Sequence, residues 1–481
     1  MLLIIIYFIL FSSIFFLYFF KKTDLKKIKV FALISSGLVF FFSTLLVANF
    51  DTNQYFFQNV IALTIGSDFL NLIYLFGLDG ISIFFFFLSA FLIFICILFI
   101  WEDIFFREYI INLFLIELFL LIIFSTLDLF IFYIFFEAIL IPMFLIIGIY
   151  GSRERKIRAV YLFFFYTLCG SILMLISILY IYVVVGSLNL EYLSSWKFTE
   201  NEQLFLWVTF FFSFASKIPM FPFHIWLPEA HVEAPTVGSV LLAGILLKLG
   251  VYGFLRFSFI LFPDASLFYS PLIYLLSIIG VIYASLTAIR QTDMKRIIAY
   301  SSVAHMNMVT LGIFSFNTIG LEGALLQSLS HGFVAGGMFL LIGILYNRYH
   351  SRFLYYYGGL VHTMPIFSTF FLIFTLANIA LPGTSSFVGE FLILIGIYKN
   401  NIFACVFSAL GIILCGSYSL WLYNRIIFGN FKINYTLKFK DLNKREFIIL
   451  LPIVIFIFLM GVYPSFFTSY FHFSACGLFF Q

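Results

Sequence analysis

Long apolar runs alternate along the chain with short clusters of polar and charged residues. A helix needs roughly 20 mostly apolar residues to cross a bilayer. The runs therefore predict spans at 2-20, 28-49, 78-101, 108-124, 126-149, 158-186, 203-226, 233-258, 270-290, 294-314, 318-346, 364-398, 402-428 and 446-468. The expected fold class is an all-α integral membrane protein of about fourteen transmembrane helices. The thinnest separation is Ser125-Thr126-Leu127-Asp128, between the fourth and fifth runs. Charge supports the alternation: 21 of the 26 Lys and Arg fall in the odd-numbered connections, including Lys21, Lys22, Arg153, Arg352, Lys438 and Arg445. The even connections hold only Lys197, Arg256 and Lys399, while Lys217 and Lys248 fall inside helices. By the positive-inside rule the odd connections face the inner compartment and both termini the outer one.

Two of these helices contain breakers. The seventh reads Lys217-Ile-Pro219-Met-Phe-Pro222 and the twelfth Ala380-Leu-Pro382-Gly383-Thr384-Ser385-Ser386. Proline removes an N–H and crowds the preceding turn, so helices 7 and 12 are expected to be discontinuous. Interrupted helices in transporters line ion sites, although a plain proline kink is the alternative. The breaks lie five helices apart, and an odd spacing makes two five-helix units enter the membrane from opposite sides. The expectation is an inverted repeat of helices 4-8 against helices 9-13. The chain then divides into 1-107 (three N-terminal helices), 108-258, 270-428 and a C-terminal part, 429-481.

Composition narrows the class. With 63% hydrophobic and only 10% charged residues, and a mean hydropathy of +1.13, the chain has far fewer charges than the roughly 25% of a soluble domain. The 73 Phe are read partly as the mark of an AT-rich organelle genome and not as a cofactor box. Cys96, Cys169, Cys405, Cys415 and Cys476 lack metal or iron–sulfur spacing, and no dinucleotide fingerprint or phosphate-binding loop occurs. No site for NADH, flavin, ATP or a redox centre is expected in this chain. A net charge of +4 gives no reason to expect nucleic acid. The apolar N-terminus has its basic residues after the run, unlike a cleaved secretory signal, and no Arg-rich presequence precedes it, so the first helix is expected to be retained.

Ionisable residues at mid-membrane depth are costly and mark function by default. Glu137, Lys217, Lys248 and Glu390 are the strongest candidates, followed by His305 and His331. Glu117, Asp128 and Glu322 are weaker because they can lie near helix ends. Any one of them can be a structural ion pair, a satisfied core histidine or a snorkelling side chain. Six at one depth in six helices point instead to charge passed along the midplane.

The segments carrying these residues, FYIFFEAILIP, SKIPMFPFHIWLPEAHVEAPTVGSVLLAGILLKLGVYG, QTDMKRIIAYSSVAHM, LSHGF and LANIALPGTSSFVGEF, together resemble the antiporter-like subunits of mitochondrial NADH:ubiquinone oxidoreductase (respiratory complex I) over about residues 80 to 430. Glu390 resembles the branch with an acid in the twelfth helix, where subunits 2 and 5 typically present lysine. The resemblance implies that Glu137 is the glutamate of the fifth helix, Lys217 the lysine of the broken seventh and Lys248 the central lysine of the eighth. Glu390 is then the terminal acid, His305 and His331 are bridging links, and His231 lies in the family motif near the matrix side. It implies proton pumping in the mitochondrial inner membrane, with NADH, FMN, iron–sulfur clusters and ubiquinone held by partner subunits. Subunits 2 and 5 are the expected neighbours, and the basic matrix loops suggest cardiolipin.

In the expected mechanism Glu137 and Lys217 form an ion pair whose opening sends a proton from Lys217 towards Lys248, on through water, His305 and His331, and out by way of Glu390. The alternatives are a subunit of a multisubunit cation/proton antiporter, which needs no redox partner, and a scaffold whose charges only hold helices together.

Overall fold

The computed structural model describes residues 2–21, 23–54, 56–65, 72–101, 106–430, 432 and 439–480. Lys22 and Lys438, counted above among the basic loop residues, lie outside the described residues. The chain is mostly helical. Helices α1 (Leu2–Phe19), α2 (Leu25–Ala48), α3 (Ser82–Phe99), α4 (Phe106–Ser125), α5 (Leu129–Tyr150) and α6 (Lys156–Val185) follow one another in the first part. Next come the broken α7, with halves α7a (Glu200–Lys217) and α7b (Trp226–Glu233), then α8 (Thr236–Leu261), α9 (Ser270–Ile289), α10 (Met294–Ile313) and α11 (Thr318–Tyr349). The broken α12, with halves α12a (Pro365–Asn378) and α12b (Ser385–Asn400), precedes α13 (Ile402–Phe428), α14 (Lys444–Val462) and α15 (Ser465–Phe480).

Among the described residues, 11 helices are long and apolar enough to cross a membrane. Three segments predicted as spans fall short of that measure for evident reasons. Helix α12 is divided into two short pieces, the longer piece of α7 carries Glu200, Glu202 and Lys217, and α10 carries Lys295, Arg296 and His305. Two features depart from the sequence expectation. Gln58–Ile65 and Leu72–Leu78 pair as an antiparallel hairpin, so the fold is not wholly helical. A further helix, α15, follows Pro464 and packs Phe467 and Tyr470 against Phe84.

Burial sorts the helices into a centre and a rim. The most apolar windows of α8 and α11 are 100% buried inside the protein, whereas those of α1, α6 and α13 are about a third buried or less. Helix α11 packs along α12b, α10, α8 and α14. The enclosed helices are the ones that carry Lys248, His305 and His331. The rim presents exposed Phe8, Phe165, Ile176, Val183 and Phe403, as lipid-facing surface requires.

Both breaks are stabilised by bonds that re-satisfy freed backbone groups, a requirement in a medium without water. At the α7 break the Ser216 carbonyl accepts from the Trp226 indole at 2.9 Å, and the Pro219 carbonyl from Asn307 Nδ2 at 3.4 Å. At the α12 break Pro382 cannot donate to the carbonyl of Asn378, which instead accepts from the Cys415 thiol at 3.2 Å.

Candidate functional site

Lys248 is placed by a local irregularity. Residues Leu242–Leu246 of α8 form a π-helical turn, which disturbs the i→i−4 ladder just before the lysine. The Lys248 ammonium donates to the Ala243 carbonyl at 2.5 Å and meets His331 Nδ1 at 2.8 Å. That second contact needs α8 and α11 close together, and glycines at the crossing allow it. A Cβ on Gly332 would come 3.0 Å from the Gly244 carbonyl oxygen and 2.8 Å from Leu88 Cδ2.

From His331 the row continues into α10 and α12b. The rings of His331 and His305 have centroids 5.9 Å apart. His305 Nδ1 lies 2.8 Å from Glu390 Oε1, which also accepts from Gln327 Nε2 at 3.0 Å. His305 Nε2 lies 3.2 Å from Asn378 Oδ1. Ser330 touches Ser385 and Ser386 at 2.7 and 2.8 Å, so the start of α12b is joined to α11 beside the acid. Lys248, His331, His305 and Glu390 thus form one buried cluster spanning four helices, hydrogen-bonded within the pairs Lys248–His331 and His305–Glu390 but not between the two histidines.

Glu137 and Lys217 form a second group. They lie within electrostatic reach of one another, but the expected contact ion pair is not formed. Among the described residues neither Glu137 oxygen nor the Lys217 ammonium has a hydrogen-bond partner. The Lys217 ammonium instead sits 4.5 Å from the centroid of the Phe136 ring. An aromatic face attracts a cation far more weakly than a touching carboxylate does, so the lysine is held loosely. No direct hydrogen bond joins this group to Lys248.

The remaining candidates have distinct settings. His231 is fully buried in α7b, its ring stacked on Phe339 with centroids 4.8 Å apart, and Lys295 and Lys248 lie within electrostatic reach of it. Glu117 is fully buried within α4, its oxygens without a hydrogen-bond partner among the described residues. Asp128 caps α5, accepting from the Phe130 and Ile131 amides at 2.9 and 3.0 Å. Glu322 meets His472 of α15 at 2.6 Å.

Several residues of the site escaped the sequence reading. Gln327 stands one helical turn before His331, and that spacing on α11 was the available signal. Asn378 is the last residue before the α12 break. On the predicted inner side Arg352 gathers three segments: it pairs with Glu233 and Asp293 at 2.8 and 2.7 Å and donates to the Val232 carbonyl. Burial holds the Asp293 carboxyl above its usual range, against the pull of Arg352. On the other side Arg256 pairs with Asp79 at 2.6 Å, both buried.

The chain is similar in sequence and fold to known proteins. The family described as NADH:quinone oxidoreductase/Mrp antiporter, TM, matches residues 126–415. NADH-ubiquinone oxidoreductase chain 4 of Marchantia polymorpha is 57% identical over 410 residues, covering 85% of this chain and 83% of the relative. The proteins of that name from Chondrus crispus and Arabidopsis thaliana are 53% and 52% identical, covering 93% and 96% of this chain and 91% and 94% of theirs. Among solved structures, a chain of respiratory complex I from Thermus thermophilus with bound NADH superposes with a TM-score of 0.88 at 29% identity, covering 100% of both chains. A chain of the Mrp complex from Dietzia sp. shares the fold, with a TM-score of 0.87 at 18% identity over 99% of this chain and 97% of that one. The chain belongs to the NADH:quinone oxidoreductase/Mrp antiporter family and, within it, to the NADH-ubiquinone oxidoreductase chain 4 group.

Proposed function

We propose that this chain is a proton-pumping, antiporter-like subunit of NADH:ubiquinone oxidoreductase, and that protons pass along its midplane through Glu137, Lys217, Lys248, His331, His305 and Glu390. The observation that carries this reading is the buried cluster of two hydrogen-bonded pairs, Lys248–His331 and His305–Glu390, each at 2.8 Å, with the two imidazole rings 5.9 Å apart by their centroids. Burying four ionisable side chains together is costly, which marks them as functional by default. The chain 4 relatives favour the redox-driven pump over the cation/proton antiporter.

Glu137 and Lys217 act as the input pair. With no direct contact between them, small movements of α5 or of the α7 break change the field at Lys217. One charge crossing the membrane corresponds to about 2.3 kcal/mol per 100 mV, and a shift of about two pKa units to about 2.7 kcal/mol, so a change at this pair is on the required scale. Water completes the steps between Lys217 and Lys248 and between the two histidines. His231 lies on the inner approach. The driving energy comes from partner subunits that hold NADH, FMN, iron–sulfur clusters and ubiquinone.

The same reading has fourteen spans, with helices 4-8 and 9-13 as inverted repeats, set in the mitochondrial inner membrane with both termini on the intermembrane-space side. Antiporter-like subunits 2 and 5 are the neighbours, and cardiolipin lies against the basic matrix loops. Replacing Lys217 or Glu137 by Ala is expected to abolish coupled pumping in the reconstituted complex while leaving its assembly largely intact. Full pumping by either variant overturns the relay.

A further inference from the structure

The break in α12 is connected to the relay by a chain of directed hydrogen bonds, and the chain starts with a missing donor. In an unbroken helix the Asn378 carbonyl would accept from residue 382, but that residue is proline. The Cys415 thiol, from α13, takes the place of the lost N–H and donates to this carbonyl at 3.2 Å. With its hydrogen committed, the sulfur presents lone pairs. Asn378 Nδ2 donates to it at 3.6 Å, and the Tyr418 hydroxyl lies 2.9 Å away. This fixes which way the Asn378 amide points: Nδ2 faces Cys415, and Oδ1 faces His305 Nε2 at 3.2 Å.

An amide oxygen only accepts. His305 Nε2 must therefore carry a hydrogen, and the hydrogen bond made by one ring nitrogen determines the role of the other. The nitrogen left to gain and lose a proton is Nδ1, which faces Glu390 Oε1 at 2.8 Å. Asn378, Cys415 and Tyr418 are all buried, so water does not compete for these bonds.

We propose that Asn378 is a positioning residue of the proton relay: held by Cys415 across the α12 break, it keeps a hydrogen on His305 Nε2, so that proton exchange runs through Nδ1 and Glu390. This rests on the relay reading above. It also gives the break a specific task, because movement there would turn the amide and release the ring. The titratable groups around His305 are Glu390 of α12b, His331 of α11, and Cys415 and Tyr418 of α13, with Lys248 behind His331.

The test uses the whole complex carrying Asn378→Leu, Asn378→Asp or His305→Gln, reconstituted in vesicles, with protons moved per NADH oxidised followed against pH. Leu removes the acceptor at nearly constant volume, whereas Asp keeps an acceptor and adds charge. The alkaline midpoint of the pumping ratio is expected to move down by about one pH unit in Asn378→Leu and up by a similar amount in Asn378→Asp, the scale of one charge-assisted hydrogen bond. A loss of packing alone cannot move the two in opposite directions. If the Leu variant does not assemble, the Asp variant decides by its upward shift. Native midpoints in the Asn378 variants, alongside an impaired His305→Gln, overturn the positioning role and leave the relay standing. A native ratio in His305→Gln removes the relay itself, and this inference with it.

Discussion

Replacing Lys248 by Met isolates the centre of the row, because Met is similar in length and keeps the packing while removing the charge. The structural consequences oppose one another. The Ala243 carbonyl and His331 Nδ1 lose their shared partner, and leaving two buried polar groups unpaired costs about 1–3 kcal/mol each. Removing a fully buried ammonium recovers several kcal/mol of desolvation. The two effects are of similar size, so the variant chain is expected to accumulate and assemble close to normally. Transport is affected differently. His331 would have to take up a proton with no partner beside it, and an uncompensated buried charge costs about 3–5 kcal/mol. At about 1.4 kcal/mol per decade, passage through that point slows by roughly two to four orders of magnitude. The assay is the purified complex in sealed vesicles, with a pH-sensitive dye reporting proton movement and absorbance reporting NADH oxidation. The expected result is a lower number of protons per NADH at normal subunit content. A native ratio in Lys248→Met would refute the reasoning, since it would show that protons bypass Lys248.

Two further predictions concern neighbouring positions. A Cβ on Gly389 would come 2.8 Å from Gln327 Cα, and backbone cannot yield as a side-chain tip can. Gly389→Ala should therefore push α12b from α11, cost about 1–3 kcal/mol and stretch the Gln327–Glu390 bond. Its measures are a lower inactivation temperature and fewer protons per NADH. Asp128→Ala removes two cap bonds from the start of α5 and should cost about 1 kcal/mol with a native pumping ratio; a reduced ratio at full assembly would place Asp128 in the relay instead.

The sequence revealed what the bilayer penalises most and little of what it tolerates. Lys217, Lys248 and Glu390 stood out because a charge within an apolar run has no inexpensive explanation. Gln327 and Asn378 did not, because a neutral amide costs the bilayer less than a charge and its importance depends on which helix faces it. Contact is a tertiary property for charges too: Glu137 and Lys217 read as an ion pair, yet the lysine lies over Phe136. The π-helical turn before Lys248 left no mark that composition could reveal, since Leu242–Leu246 suits an ordinary helix equally well. The hairpin at Gln58–Ile65 and Leu72–Leu78 was missed for a related reason: its second strand, LIYLFGL, is a nearly unbroken apolar run without the alternation that signals a half-exposed strand.

The two proline breaks show how far local sequence can carry a functional argument. Both were legible as interruptions, and at both the freed carbonyls find new donors, but the donors differ in kind. At α7 the Trp226 indole caps Ser216 from within the same helix pair and Asn307 of α10 caps Pro219, and neither bond involves a titratable side chain. At α12 the donor is a thiol from another helix, and the same sulfur orients the amide that meets His305. A distortion of α7 therefore acts on Lys217 through the position of its backbone and the field of Glu137, whereas a distortion of α12 acts through a hydrogen-bond direction. In the proposed relay the first would change how strongly a proton is held, and the second would change which nitrogen holds it. A relay with one control of each kind at its two ends can take up a proton at one and release it at the other without both being open together.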